Sequence, residues 1–168
     1  MTIDGLLDNA RALQRDLSQG SIIREVLEPH GDDIVDLQRT QLLMGKGSDG
    51  KDIHPFYTED IKPSGWFRTR AKAENYKAWK QQLSYPKNVQ RNPDAPNLYI
   101  TGVFHNDLNV SFGSDAVGIV PDTAYAAKIM RKYGMDVFGL SNDSWLVVFD
   151  ERGAKDELIQ KVKDVLWQ

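Results

Sequence analysis

Apolar residues recur at helical spacing near both ends of the chain and alternate with polar ones in its middle. Leu6, Ala10, Leu13 and Leu17 share one helical face, with Asp4 placed to cap its start and Gly20 to end it. Ser21 can cap a second short helix over 22–27, which should stop ahead of Pro29 and Gly31. Asp32 and Asp33 restart the chain with charges that favour a helix N-terminus. A helix is expected over 34–44, although Ile34, Leu37 and Leu42 fit its period poorly. Further on, Leu108, Val110 and Phe112 alternate with Asn109 and Ser111, which is a strand pattern. Gly113, Ser114 and Asp115 then read as a turn, and 116–120 as the return strand of a hairpin. A helix starts from Pro121-Asp122-Thr123, with Tyr125, Ile129 and Tyr133 on its apolar face and Gly134 just past its end. Residues 138–141 form a loop leading to Asn142 or Asp143 as a cap. The stretch 145–149 has strand propensity yet follows a capping residue directly, so strand and helix both stand. Gly153 breaks the chain, and 156–167 reads as a last helix with Leu158, Val162, Val165 and Leu166 on one face. Strands and helices are segregated, so the class is α+β: a small antiparallel sheet flanked by N-terminal, central and C-terminal helices.

Residues 55–97 break this regularity. Pro55, Pro63, Pro86, Pro93 and Pro96 punctuate them, and Phe56, Tyr57, Trp66, Phe67, Tyr76, Trp79 and Tyr85 make them dense in rings. Only 70–83 has helical character, with Tyr76, Trp79 and Leu83 at i, i+3 and i+7. The segment therefore reads as a long extended arm inserted in a single domain, 1–168. Disordered segments are poor in aromatics, so the arm should order. Trp, Tyr and Arg most often anchor interfaces, which singles out Trp66, Phe67, Arg68, Arg70, Tyr76, Trp79 and Tyr85 as partner contacts. The competing reading packs these rings back on their own domain.

Composition narrows the function classes. With 168 residues, 40% apolar and 27% charged, the chain can bury a real core in one domain. The absence of cysteine removes disulfides, thiolate metal sites and cysteine nucleophiles, and a reducing compartment fits best. No run of apolar residues is long enough to span a membrane, and Asp4 and Asp8 suit no signal peptide. The net charge of −3 points to no nucleic-acid partner by itself. Its distribution is uneven, however. Between Lys62 and Arg91 there are eight basic residues and one acidic, Glu74, so that segment carries +7 and the remainder −10. A subunit polarised in this way could pack head to tail in a ring. The alternative is a solvated face that happens to be basic.

Little catalytic chemistry is legible. The cluster Gly45 to Gly50 lacks the Lys-Ser or Lys-Thr ending of a phosphate-cradling loop, because Lys46 is followed by Gly47, and its Asp49-Gly50 step reads as a tight turn. His30, His54 and His105 are not spaced as a helical metal pair. His105 with Asp107, and with Asp115 or Asp122 nearby, is the strongest hydrolase-like grouping, but a surface or half-buried histidine is the expected reading. No cofactor is implied.

The stretch Leu98-Tyr99-Ile100-Thr101-Gly102-Val103-Phe104-His105-Asn106-Asp107-Leu108 resembles an element of the tail-completion and minor tail proteins of tailed bacteriophages, including virion-morphogenesis proteins of Mu-like phages and related proteins of Bacteroides phages. Asp115-Ala116-Val117-Gly118-Ile119 resembles the return strand of that family, and Tyr125-Ala126-Ala127 its tyrosine-alanine helix. Val137-Phe138-Gly139-Leu140-Ser141 is similar to its element before the final helix. Upstream, Gln41-Leu42-Leu43, Gly47-Ser48-Asp49-Gly50-Lys51-Asp52-Ile53 and Tyr57 resemble its N-terminal signature. These elements keep their order across roughly 38–145. The sequence departs in the residues beside Thr101-Gly102, Ile100 and Val103, and in the length of the 62–93 arm.

The resemblance implies a structural virion protein, assembled in the bacterial host cytoplasm as a homo-oligomeric ring around the DNA exit channel. Its partners would be other neck, portal or tail proteins, with incidental contact to passing DNA. It implies no membrane, no small-molecule substrate and no active site. Thr101, Gly102, Phe104, Gly139 and Leu140 would be structural motif residues. The Thr101 hydroxyl could cap a short helical turn and Gly102 could let backbone pass close by. The alternative function is a nucleic-acid-binding module that uses the basic aromatic arm 62–91, with Lys72, Lys77 and Lys80 on phosphates and Trp66, Trp79 or Tyr85 stacked on bases.

Overall fold

A computed structural model describes residues 3–63, 65–113 and 116–167. Helix α1 covers Ile3–Ser18 and α2 covers Ser21–Leu27. A single 3-10 turn, Glu28–His30, joins α2 directly to α3, Gly31–Leu43. Pro29 therefore does not stop the chain. It sits in the first turn of the 3-10 segment, where its missing N–H costs nothing. Ser21 is the first helical residue rather than the cap, because Gly20 takes the capping position in a left-handed conformation at φ 71°.

Helix α3 is the spine of the molecule. Ile34, Gln38 and Leu42, four residues apart, are all fully buried, and with Val26, Leu27, Val35, Ile53 and Leu108 they build the main core. Around this spine the central elements are short. Helix α5, Val103–Asn106, leads into β1, Leu108–Phe112, which pairs antiparallel with β2, Val117–Pro121. Leu108 faces Pro121 and Val110 faces Ile119, so the apolar members of the alternation lie on α3 while Asn109 and Ser111 face out. The α+β class and the small flanked sheet are as expected. The turn expected at Ser114 and Asp115 lies outside the described residues.

Helix α6, Ala126–Tyr133, ends at Gly134, the stop that the sequence marks, whose φ of 87° with an extended ψ is a conformation open to glycine. A 3-10 turn, Met135–Val137, follows it. Ser141, rather than Asn142 or Asp143, caps the next helix, α7, Asn142–Leu146, by accepting the Ser144 N–H. The stretch left open between strand and helix is helical throughout: α7 runs into a π turn, Val147–Glu151, that buries Val148. Helix α8, Ala154–Leu166, packs against α1 and α2. None of the described helices is long and apolar enough to cross a membrane.

The segment 55–97 folds back on its own chain. Thr69 caps α4, Arg70–Gln81, by accepting the Lys72 N–H at 3.4 Å. Tyr57, Phe67 and Ala73, with Ile61 and Tyr76 against them, form a second, smaller core. Its rings meet edge-on or tilted, with Tyr76 5.1 Å from Tyr57 and 5.3 Å from Phe67 between centroids, geometries that aromatic quadrupoles favour. The Tyr57 N–H bonds the Asp94 carbonyl and ties the two ends of the segment together, while Asn92 to Asp52 and Lys87 to both Asp36 and Thr40 on α3 staple it to the rest.

Candidate functional site

Between the second core and α6 lies an open groove of about 830 Å³. One wall is the apolar face of α6 and its cap, Tyr125, Ile129 and Tyr133. The opposite wall is Tyr57, Trp66 and Tyr76 of the 55–97 segment. The floor is the stretch Leu98 to Phe104, including Thr101 and Gly102. The sequence correctly groups Tyr125, Ile129 and Tyr133 on one face; Ile129 and Tyr133 are half-buried against the main core while also lining the groove, and Tyr125 is 60% exposed.

Asp60 clamps the two walls together. Its carboxylate accepts the Trp66 N–H at 3.1 Å and the Lys132 ammonium from α6. Burial raises its pKa, but the bonds from Lys132 and Trp66 outweigh that, so the carboxyl stays below its ordinary range. Lys132 also sits 4.1 Å above the Trp66 ring, a cation–π contact that holds the indole at the groove's mouth. Trp66 remains 61% exposed there.

Behind the floor, rings stack in a row. Arg91 lies over Tyr85, Tyr85 packs on Tyr99, and Tyr99 meets the His105 ring edge-on at 5.3 Å. Gly102, at φ 86°, is the place where this row touches the floor: a Cβ there would sit 3.3 Å from the Tyr99 ring in a conformation that L side chains avoid. Thr101 caps nothing. It is exposed, and Gly102 itself holds the N-cap position of α5 without a side-chain bond. Leu98 also has positive φ, 54°, and is held in a tight turn by the bond from Tyr99 N–H to the Asn97 side chain.

Two polar groups lie deeper than the sequence suggests, which places His105 at the surface or half-buried and Lys80 on a phosphate-binding surface. His105 is buried, with its Nε2 3.0 Å from the Asn97 carbonyl, and burial pushes its pKa down to about 4. Its ring faces Asn97 and Tyr99, not the carboxylates of Asp107 and Asp122; Asp122 instead accepts from Asn109. Lys80, on α4, is 1% exposed and donates to the Tyr99 carbonyl at the groove wall. Burial lowers its pKa to about 7, with Arg91 adding a like charge nearby.

The sequence-selected interface residues divide. Trp66 and Trp79 are exposed, and Tyr76 is half-buried against Trp79. Arg68 and Arg70 lie on the surface, Arg70 3.9 Å from Glu74. Phe67 and Tyr85 are corrected: Phe67 is a member of the second core, and Tyr85 bonds the Lys80 carbonyl beneath Arg91. The Phe67 ring is buried and the Tyr85 ring is half-covered by internal packing, which single-residue interface propensity cannot foresee. Gly139 and Leu140 lie apart from the groove, on the main core beside α3. Sequence reasoning missed Asp60, Lys128, Arg131 and Lys132. The available signal was the run of cations beside the Tyr125, Ile129 and Tyr133 face. Among the described residues no three His, Cys, Asp or Glu side chains gather to hold a metal ion.

Comparison with protein-family models, with curated proteins and with solved structures finds no match.

Proposed function

We propose that this chain is a structural subunit of a tailed-phage particle, a tail-completion or head–tail neck protein that acts by contact with copies of itself and with neighbouring virion chains. The observation that carries the reading is the open groove, whose apolar walls leave Trp66 and Tyr125 unburied at the mouth. Large exposed rings around an apolar concavity are the anatomy of an interface hot spot awaiting its cover. The resemblance of Leu98 to Leu108 to the tail-completion family supports the same assignment, because that stretch supplies the groove floor.

The nucleic-acid reading draws less support. Of the eight basic residues between Lys62 and Arg91, Lys80 is internal and Arg91 is stacked on Tyr85. Lys77 and Arg70 lie beside Glu74, and Lys87 beside Asp36. A phosphate backbone would meet a much thinner cation array than the +7 count suggests.

Quantitative mass spectrometry of purified particles tests the assignment. The chain should be present at a small, fixed, ring-like copy number per particle. Particles carrying Trp66→Ala with Tyr125→Ala should show unjoined heads and tails by electron microscopy. Infectious particles that lack the chain would overturn the reading.

A further inference from the structure

The groove has a chemical character beyond being apolar. Its rim carries Lys128 and Arg131, both exposed, while the Asp60 carboxylate is already engaged by Lys132. Behind the wall, the Lys80 ammonium has a backbone carbonyl for a partner and, among the described residues, no carboxylate. The site is thus built for a segment that is apolar on one side and acidic on its flank.

Such a segment exists on this chain, away from the groove. Helix α1 buries none of its residues. It packs on α8 and α2, with Gly5, Asn9, Ala12 and Leu13 half-buried, and Asn9 bonds the Leu166 carbonyl at the end of α8. Of the stripe that the sequence marks, Leu13 is half-buried while Leu6 and Leu17 are about two-fifths exposed, and next to Leu6 lie Ile3 at 80% and Leu7 at 50% exposed. Over the first two turns, 3–10, this ridge is flanked by Asp4 and Asp8 and by no basic residue. Asp8 is engaged by Arg11 in an exposed pair that water screens. None of α1, α2 and α8 lines the groove, so the ridge and the groove are separate patches of one surface.

We propose that the groove of one copy receives the exposed N-terminal ridge of α1 from a second copy, with Ile3, Leu6 and Leu7 against Trp66 and Tyr125 and with Asp4 and Asp8 facing Lys128 and Arg131. A convex acidic patch meeting a concave cationic one is a head-to-tail contact. Each copy keeps one unused ridge and one unused groove, so the contact propagates into a closed ring or a filament instead of ending at a two-fold dimer. This deepens the structural-subunit reading and rests on it for its biological setting, but its geometry is testable on the purified chain alone.

The test is sedimentation velocity on the full chain over a wide concentration range. Wild type should form oligomers larger than dimers, and these should weaken as salt rises. Leu7→Glu spoils the ridge, and Lys128→Glu with Arg131→Glu spoils the groove rim; each variant alone should sediment as a monomer. The substituted positions are all exposed, and circular dichroism melts check that each variant stays folded. Mixed together, the two variants should form a one-to-one dimer and nothing larger, since each contributes its intact patch. Wild type that assembles while Leu7→Glu assembles equally well overturns this contact and leaves the structural-subunit reading standing. A mixture that stays monomeric also overturns it. Wild type that is monomeric at every concentration overturns it too, whereas membership of the particle is decided separately by the particle mass spectrometry.

Discussion

The Gln41 side chain accepts the Ser141 backbone N–H at 2.8 Å while its amide donates to the Gly139 carbonyl at 2.9 Å, so one glutamine reads both faces of the 138–141 loop. Gln38, one turn earlier on α3, does the same a step upstream: it accepts the Gly139 N–H at 2.8 Å and donates to the Val137 carbonyl at 3.3 Å. The pair replaces a missing strand. It satisfies the buried backbone of a loop that has no sheet to join. Gln41→Leu should leave two buried backbone groups without partners, and each such orphan costs about 1–3 kcal/mol. Urea denaturation should show a loss on the order of 2–4 kcal/mol, with Gln38→Leu similar. A loss under half a kcal/mol, roughly the scatter of surface substitutions, would mean that the loop is held by other contacts.

This relationship also shows what was legible in the sequence. The elements around Gln41 and around Gly139 to Ser141 are both visible as sequence features, but nothing local says that they touch across a hundred residues. A buried glutamine resembles a surface residue in any hydropathy pattern, and that is why α3 fits its period poorly: Gln38 and Gln41 occupy core positions. The hairpin and α6 are legible because alternation and a terminal glycine are local signals. Burial of the α1 stripe is not, since an apolar face says only that it wants cover, not whether the same chain supplies it. The 55–97 segment reads as an arm because its second core assembles rings from Tyr57 to Tyr76 without any repeating period.

Thr101 and Gly102 separate cleanly by substitution. Thr101 is exposed and caps no helix, so Thr101→Ala should change stability by less than about 0.5 kcal/mol. Gly102 holds φ 86° beneath the Tyr99 ring, so Gly102→Ala should lose about 1–2 kcal/mol from the left-handed backbone alone. Thermal melts of the two variants side by side decide the matter. Equal effects would return the cap role to Thr101.

His105 makes stability fall in mild acid. Its folded pKa of about 4 lies below the model-peptide value of 6.5, so between these values the unfolded chain binds the extra proton. The contribution is intact above pH 6.5 and is lost as the pH falls toward 4, reaching roughly 3 kcal/mol once both states are protonated. His105→Gln should flatten the pH dependence of the urea midpoint in that window. A wild-type slope between pH 6.5 and 4 that survives in the variant would show that His105 does not carry the effect; Asp52 and Asp60, whose pKa values are lowered, act only at more acid pH.

Lys80 works in the opposite range. Its folded pKa of about 7 lies below the ordinary 10.5, so from pH 7 upward the unfolded chain holds a proton that the folded chain gives up, and stability should rise as the pH climbs toward 10.5. At neutral pH the ammonium is poorly solvated, with the Tyr99 carbonyl and, among the described residues, no carboxylate against it. Lys80→Met keeps the aliphatic stem and removes the charge, at the expense of one hydrogen bond worth about 1 kcal/mol. Replacing a poorly compensated buried charge by a hydrophobe of similar volume is commonly neutral or stabilising. The variant should therefore match or exceed wild type at pH 7, and its stability should no longer rise between pH 7 and 10. A variant that loses more than about 2 kcal/mol at pH 7 would mean that the Tyr99 carbonyl depends on the ammonium more than burial penalises it. The groove wall, which Lys80 and Tyr76 share from α4, would then owe its shape to that single bond.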